Sequence, residues 1–437
     1  MRWSEGRAEM SVERNRPIRV LAVDDSAVMR GVLRTLFAQH PAKRRDGLPE
    51  IELAGVVEDG VECLAAVLRL RPDVILLDLE MPRMHGLDVL ERLRTEEPGL
   101  PVIMCSAHTE RGARSTLDAL TLGAADYVMK PIQQHDFATA LEALAGQLLP
   151  KIAALAGAGH EAISSARERM ARQEIAEAGR SSGQRSGAVS AAVGLAEDLV
   201  EIVVIGVSTG GPSALEAVLP KLAESFPVPV LIVQHMPKLF TGALAERLDR
   251  SCRLRVREAY DGAELCAGTV WLAPGDAHME VAEAAGRLSA AADGARARGR
   301  VVRLHQQMSL NHCKPSVDYL FSSAAMLYGA GTLALVMTGM GSDGLVGARR
   351  VHGAGGVVLT QDAATSAVWG MPGRVFDAGL SREPLPLSAM AGELTRRVQA
   401  GRRGRLSAHA SVQATVEPQP AVASQWDETV ADPVNVR

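Results

Sequence analysis

The chain has 437 residues, 47% of them hydrophobic and 22% charged, with a net charge of −4, which is material for two or three globular cores at roughly 100–200 residues each. That charge supplies no global basic field of the kind that holds a phosphate backbone, which argues against nucleic acid as a partner. No apolar run approaches the ~18–20 residues of a membrane-spanning helix, and the N-terminal stretch lacks the apolar core of a secretory signal, so a cytoplasmic protein without membrane insertion is expected.

Residues 1–17 read as a flexible N-terminus. From Ile18 onward short apolar runs alternate with amphipathic segments: RVLAVDD, SAVMRGVLRTLFAQH, IELAGVVED, GVECLAAVLRL, DVILLDLE, GLDVLERLR, PVIMCSA, DYVMKP and FATALEALAGQLL. Five strands separated by helices predict a doubly wound parallel sheet over 18–150, because parallel neighbours need crossover connections. Residues 151–198, rich in Ala, Gly, Ser and Arg, read as a flexible linker in which ISSARERMARQEIAEA can form one solvated helix. A second series, EIVVIGVS, VPVLIVQH, TVWLAPG, TLALVMTG and GGVVLTQD, predicts a second α/β domain with a largely parallel, Rossmann-like sheet over 199–398. Residues 399–437 lack periodicity and read as a disordered tail, with Arg402 to Arg405 a solvated run. The five cysteines, Cys63, Cys105, Cys252, Cys266 and Cys313, are scattered and never form a C-x-x-C pair, so neither a disulfide framework nor a zinc site is indicated.

In open parallel sheets ligands sit outside the carboxyl ends of the strands. Asp24 and Asp25 follow RVLAV, Asp78 follows DVILL, Ser106 follows PVIMC and Lys130 follows DYVM. Any one strand-terminal Asp is commonly a turn or helix cap; in a flavodoxin-like order, however, these four ends converge. Three converging carboxylates repel one another, and Mg²⁺ is the hard cation that suits such oxygens. The chemistry that fits is phosphoryl transfer to Asp78, with the metal and a lysine offsetting charge and a hydroxyl sensing it. These residues resemble the response-regulator receiver family over about residues 18–148. The resemblance implies that Asp25, Asp78 and the backbone carbonyl of Glu80 bind Mg²⁺, that Asp24 acts directly or through water, and that Ser106 and Lys130 are the family's hydroxyl and lysine. It leaves the role of Tyr127 open.

Gly206-Val207-Ser208-Thr209-Gly210 is a G-x-S-x-G between the apolar run EIVVI and the helical segment GPSALEAVLPKL. Such a strand-to-helix turn pushes a serine hydroxyl out above a sheet, although the string alone is also that of a plain Gly-rich turn. A dinucleotide fold would need G-x-G-x-x-G, and here Ser208 replaces the glycine that lets backbone approach a pyrophosphate; the next strand ends in His235 instead of an acid. His235 is a candidate general base or a strand-capping histidine. Asp343, in the Gly-rich loop after TLALV, is a candidate third member or a turn aspartate, and that loop can aim N–H groups at an oxyanion. The order Ser, His, Asp differs from the Ser, Asp, His order of α/β-hydrolases.

The strings GVSTGGPSAL, VQHMP, LAPGDAHM, HCKPSVDYLF and MTGMGSDG resemble the catalytic domain of the chemotaxis protein-glutamate methylesterases over about residues 200–395. The resemblance implies Ser208 as nucleophile, His235 as base, Asp343 as the group orienting it, the Met340 N–H at the oxyanion and Thr209 beside the nucleophile. It implies hydrolysis of glutamate γ-methyl esters on chemoreceptors, with methanol released, and deamidation of receptor glutamines. No cofactor is expected for the ester reaction. It also implies a histidine kinase as phosphodonor and a receiver that covers the active site until Asp78 is phosphorylated. His278 and His312 lack metal-ligand spacing and read as loop or cleft residues. A phosphorylation-dependent adaptor with a silent second domain is opposed by the intact Ser208, His235 and Asp343. A transcriptional output is opposed by the absence of a helix-turn-helix or basic recognition surface in the sequence.

Overall fold

The structure is a computed structural model that describes residues 16–39, 48–131, 137–178, 199–290, 296–309, 311 and 313–414. Strands β1 (Ile18–Val23), β2 (Ile51–Val57), β3 (Val74–Asp78), β4 (Val102–Ser106) and β5 (Asp126–Met129) form a sheet of order β2-β1-β3-β4-β5. All its pairs are parallel. The crossovers are α1 (Ala27–Gln39), α2 (Gly60–Leu70), α3 (Gly86–Glu96) and α4 (Glu110–Thr121). Helices on both faces explain why VILLD and VIMCS are buried at every position and read as continuous apolar runs instead of alternating ones. Because β1 has β2 on one side and β3 on the other, the chain reverses direction there and opens a crevice at the carboxyl ends of β1 and β3.

Helix α5 (Phe137–Ala178) differs from the expected boundary at residue 150: it continues through Pro150. Ile152, Leu155 and Ala156 are buried in one apolar cluster with Leu144 and Leu148, a spacing that keeps one helical face inward. A stripe this short is lost when composition is averaged over 151–198. Residues 179–198 lie outside the described residues.

The second domain begins with β6 (Ile202–Val207), α6 (Gly211–Val218), β7 (Val230–Gln234), α7 (Lys238–Ser251), β8 (Arg255–Glu258) and β9 (Thr269–Leu272). An antiparallel hairpin follows, β10 (His278–Ala290) with β11 (Arg296–His305). The domain closes with α8 (Val317–Tyr328), β12 (Thr332–Val336), α9 (Leu345–Gly353), β13 (Val357–Thr360), α10 (Met371–Asp377) and α11 (Leu387–Ala414). The parallel sheet has the order β13-β12-β6-β7-β9-β8, so its reversal point lies between β6 and β12. Edge strand β8, sequence RVRE with one buried residue, and the Ala-, Glu- and Arg-rich hairpin carry too little apolar signal to be read as strands from sequence. Helix α11 extends to Ala414, past residue 398 where the domain was expected to end.

The two domains pack through α4, β5 and α5 of the first. Tyr127 stacks on Phe240 of α7 with ring centroids 4.5 Å apart. Ser213 Oγ of α6 donates to Leu120 O at 2.7 Å, and Arg247 Nη2 donates to Thr121 Oγ1 at 2.7 Å. Val368 joins the apolar cluster of Ile152 and Leu155, and Met340 packs against it.

Candidate active sites

The crevice of the first sheet gathers three acids. Carboxylate oxygens of Asp24, Asp25 and Asp78 lie within 4.8 Å of one another; Asp25 and Asp78, with Glu80 and Lys130, line a cleft of about 290 Å³. Lys130 Nζ bridges Asp24 Oδ2 at 2.9 Å and Asp78 Oδ2 at 2.8 Å. Burial opposes the Lys130 ammonium, but Asp78 and Asp24 outweigh it and hold its pKa above the ordinary lysine value. Burial is also the main influence on Asp78, raising it to about 6 against the opposing pull of Lys130. The donor set is all hard oxygen and carries excess negative charge, which fits Mg²⁺. Ser106 is the exception in this group: its hydroxyl accepts from Thr116 Oγ1 at 2.7 Å and lies 3.3 Å from Gly112 O, turned toward α4.

Ser208 sits on the turn from β6 into α6. The turn is tight for two reasons: a Cβ on Gly206 would stand 2.4 Å from Val317 Cγ1, and Gly210 has φ +75°, a conformation that side chains disfavour. Ser208 N donates to Thr338 O at 3.0 Å, which ties the turn to the end of β12. A Cβ on Gly339 would meet Ser208 Cβ at 2.7 Å, so the loop carrying Met340 lies directly against the serine. The β6–β7 register pairs Val207 with Gln234, and the next step sets Ser208 beside His235.

His235 Nε2 donates to Asp343 Oδ2 at 2.8 Å, so in the neutral ring Nδ1 is the nitrogen that can accept a proton. Asp343 itself is only 1% exposed. Its Oδ1 accepts from Ser316 Oγ at 2.8 Å, Gly344 N at 3.0 Å and Asp318 N at 3.3 Å, and its Oδ2 accepts from Val317 N at 2.7 Å. Two of these donors are the first backbone amides of α8, where unpaired N–H groups favour an anion. Burial disfavours the carboxylate, yet His235 and these donors hold its pKa below the usual value. Burial likewise opposes the imidazolium, but Asp343 and Cys313 raise His235 to about 9.

Sequence reasoning missed Gln234, Asp318, Ser316 and Cys313. Buried Gln234 donates from Nε2 to Ser208 O at 2.9 Å and to His235 O at 3.2 Å, bracing both. Asp318 is buried, accepts from Gly347 N at 2.7 Å, and is raised by burial to about 6. Residue adjacency to His235 was the available signal for Gln234; the string HCKPSVD carried the other three. Thr209 Oγ1 donates to Asp126 Oδ2 of the first domain at 2.6 Å, so the residue after Ser208 is bonded to β5. His278 is fully buried, accepts from Ser316 N at 3.2 Å and stacks on His305 at 5.2 Å; burial lowers it to about 4. His312 lies outside the described residues. No described helix is long and apolar enough to cross a membrane.

Two family models match the chain: response regulator receiver domain over residues 20–142 and CheB methylesterase over 203–394. The protein-glutamate methylesterase/protein-glutamine glutaminase of Trichodesmium erythraeum is 41% identical over 382 residues, covering 87% of this chain and 99% of the relative. That of Nocardioides sp. is 41% identical over 385 residues, covering 87% of this chain and 95% of the relative. The crystal structure of the Thermotoga maritima CheB methylesterase catalytic domain aligns with a TM-score of 0.42 at 38% identity, covering 45% of this chain and 98% of that one. With both domains matched in order and two relatives covered almost end to end, the chain belongs to the protein-glutamate methylesterase/protein-glutamine glutaminase family.

Proposed function

We propose that the protein is a phosphorylation-activated hydrolase that removes methyl groups from chemoreceptor glutamate γ-esters in the cytoplasm, and deamidates receptor glutamines by the same chemistry. The observation that carries this reading is the alignment of Ser208, His235 and a multiply bonded, buried Asp343 at adjoining strand ends. Ser208 Oγ attacks the ester carbonyl carbon while its proton passes to His235 Nδ1. Asp343 holds the ring and stabilises the imidazolium, and the N–H of Met340 faces the developing oxyanion. Collapse of the tetrahedral species returns the proton to the departing methoxide, which leaves as methanol. Water then attacks the acyl-enzyme, His235 again takes the proton, and a glutamate carboxylate departs as Ser208 is restored. A glutamine side chain follows the same course with ammonia leaving.

Asp78 is the phosphoacceptor, supplied by a chemotaxis-type histidine kinase. Asp25, Asp78 and the Glu80 backbone carbonyl would hold Mg²⁺, which would offset charge on the transferring phosphoryl group. Lys130 binds the phosphoryl oxygens that replace its present carboxylate partners, and Ser106 turns from α4 to meet them. Strand β5 has Lys130 just beyond one end and, at the other, Asp126 bonded to Thr209, which supports coupling between the two sites. Ser208→Ala is expected to abolish methanol release from methylated receptor membranes; retained release would overturn the assignment. Asp78→Ala is expected to keep basal release but lose stimulation by a small phosphodonor.

A further inference from the structure

Cys313 takes no part in the chemistry above, yet it stands against its histidine. A ring nitrogen of His235, Cys313 Sγ and a carboxylate oxygen of Asp343 all lie within 4.8 Å of one another. Imidazole, thiol and carboxylate thus converge from three separate parts of the chain: the end of β7, the loop before α8, and the loop after β12. Asp343 forms the buried floor, whereas the His235 side chain is 13% exposed and Cys313 is half-buried, so the point is open on its thiol side. We propose that His235, Cys313 and Asp343 form a Zn²⁺ site, completed by one water, whose occupancy blocks the esterase.

Mixed N, S and O donors select a thiophilic ion, while the all-oxygen cluster at Asp24, Asp25 and Asp78 selects a hard one. The two sites of this chain therefore sort divalent ions by chemistry. Tetrahedral zinc, with bonds of about 2.0 Å to nitrogen and 2.3 Å to sulfur, sets those atoms about 3.5 Å apart. Since the atoms lie within 4.8 Å of one another, closing to that distance needs a movement of at most about 1.3 Å by Cys313, whose Sγ donates to Asn311 O in the loop at 3.4 Å. One thiolate and one carboxylate balance the two charges of the ion. When the Asp343–His235 hydrogen bond gives way to metal, Asp343 keeps its donors from Ser316, Val317, Asp318 and Gly344, which is the outer support that metal-binding carboxylates need. The inhibitory consequence rests on the reading of His235 as the base: a metal that takes Nε2 from Asp343 leaves the neutral ring's one proton on Nδ1, so that nitrogen has no lone pair for the Ser208 proton.

The test is calorimetric titration of the full chain with zinc chloride in Mg²⁺-containing buffer, comparing wild type with Cys313→Ser and Cys313→Ala. One zinc is expected to bind wild type, with affinity falling at least ~10-fold in both variants. Cobalt added to wild type should give a thiolate-to-cobalt absorption band that both variants lack. Zinc should inhibit methanol release, referred to each protein's own zinc-free rate, less potently in the variants, and a chelator should restore wild type. Equal zinc affinity in all three proteins, or a cobalt spectrum without the thiolate band, would overturn the site. Absence of methanol release from zinc-free wild type would instead strike the esterase reading and leave the binding result standing.

Discussion

On the ring of His235, burial favours the neutral form while Asp343 and Cys313 favour the charged one, and the second effect prevails, raising its pKa to about 9. On the proposed reading of His235 as the base, the ring must be neutral to accept the serine proton, so the rate of methanol release is expected to climb from neutrality and level near pH 9. Asp343→Asn should lower kcat by roughly 10³–10⁴-fold and move that inflection down, since the carboxylate that raises the pKa is gone. The stability linkage has the opposite sign: a histidine raised on folding stabilises most below its unfolded pKa of about 6.5. Its contribution is lost as pH rises through about 9, which a series of urea midpoints would register. Gln234→Leu removes the amide that braces Ser208 O and His235 O. It is expected to lower kcat by ~10-fold with KM nearly unchanged, because geometry and not substrate contact is lost.

Among the elements, the β6-turn-α6 unit was the most legible. Gly206 is required because Val317 leaves no room for a Cβ, and Gly210 because its φ is positive; both needs leave a residue-type mark in the sequence. Gly206→Ala is expected to destabilise the fold by about 1–3 kcal/mol through overpacking, measurable as a shift in urea midpoint without change in m. The start of α8 was not legible in the same way. Its N–H groups of Val317 and Asp318 grip Asp343 from across the domain, and such a contact has no signature in local spacing. Strand β8 and the β10–β11 hairpin were missed because a strand at an edge or outside the main sheet need not be apolar.

At the scale of the whole molecule, the first domain lies against the second through the Tyr127–Phe240 stack and the Asp126–Thr209 bond. An aromatic pair of this kind is worth about 0.5–1.5 kcal/mol beyond its buried area. Tyr127→Ala is therefore expected to raise unphosphorylated methanol release by roughly 2–10-fold if the closed packing limits access, while the phosphodonor-stimulated rate changes little. An unchanged basal rate would show that the stack does not hold the resting state.

The sequence by itself determined two α/β domains, and placed acids and a lysine at the ends of β1, β3 and β5 and a serine, a histidine and an aspartate after β6, β7 and β12, because strand periodicity and the residues after each apolar run are local properties. Only the tertiary structure decided that α5 continues beyond Pro150 to pack under Met340, that Gln234 braces two site residues, that Asp343 is held by the head of α8, and that Cys313 meets His235. Those facts depend on which distant segments the crossovers bring to one crevice, and no window along the chain contains them.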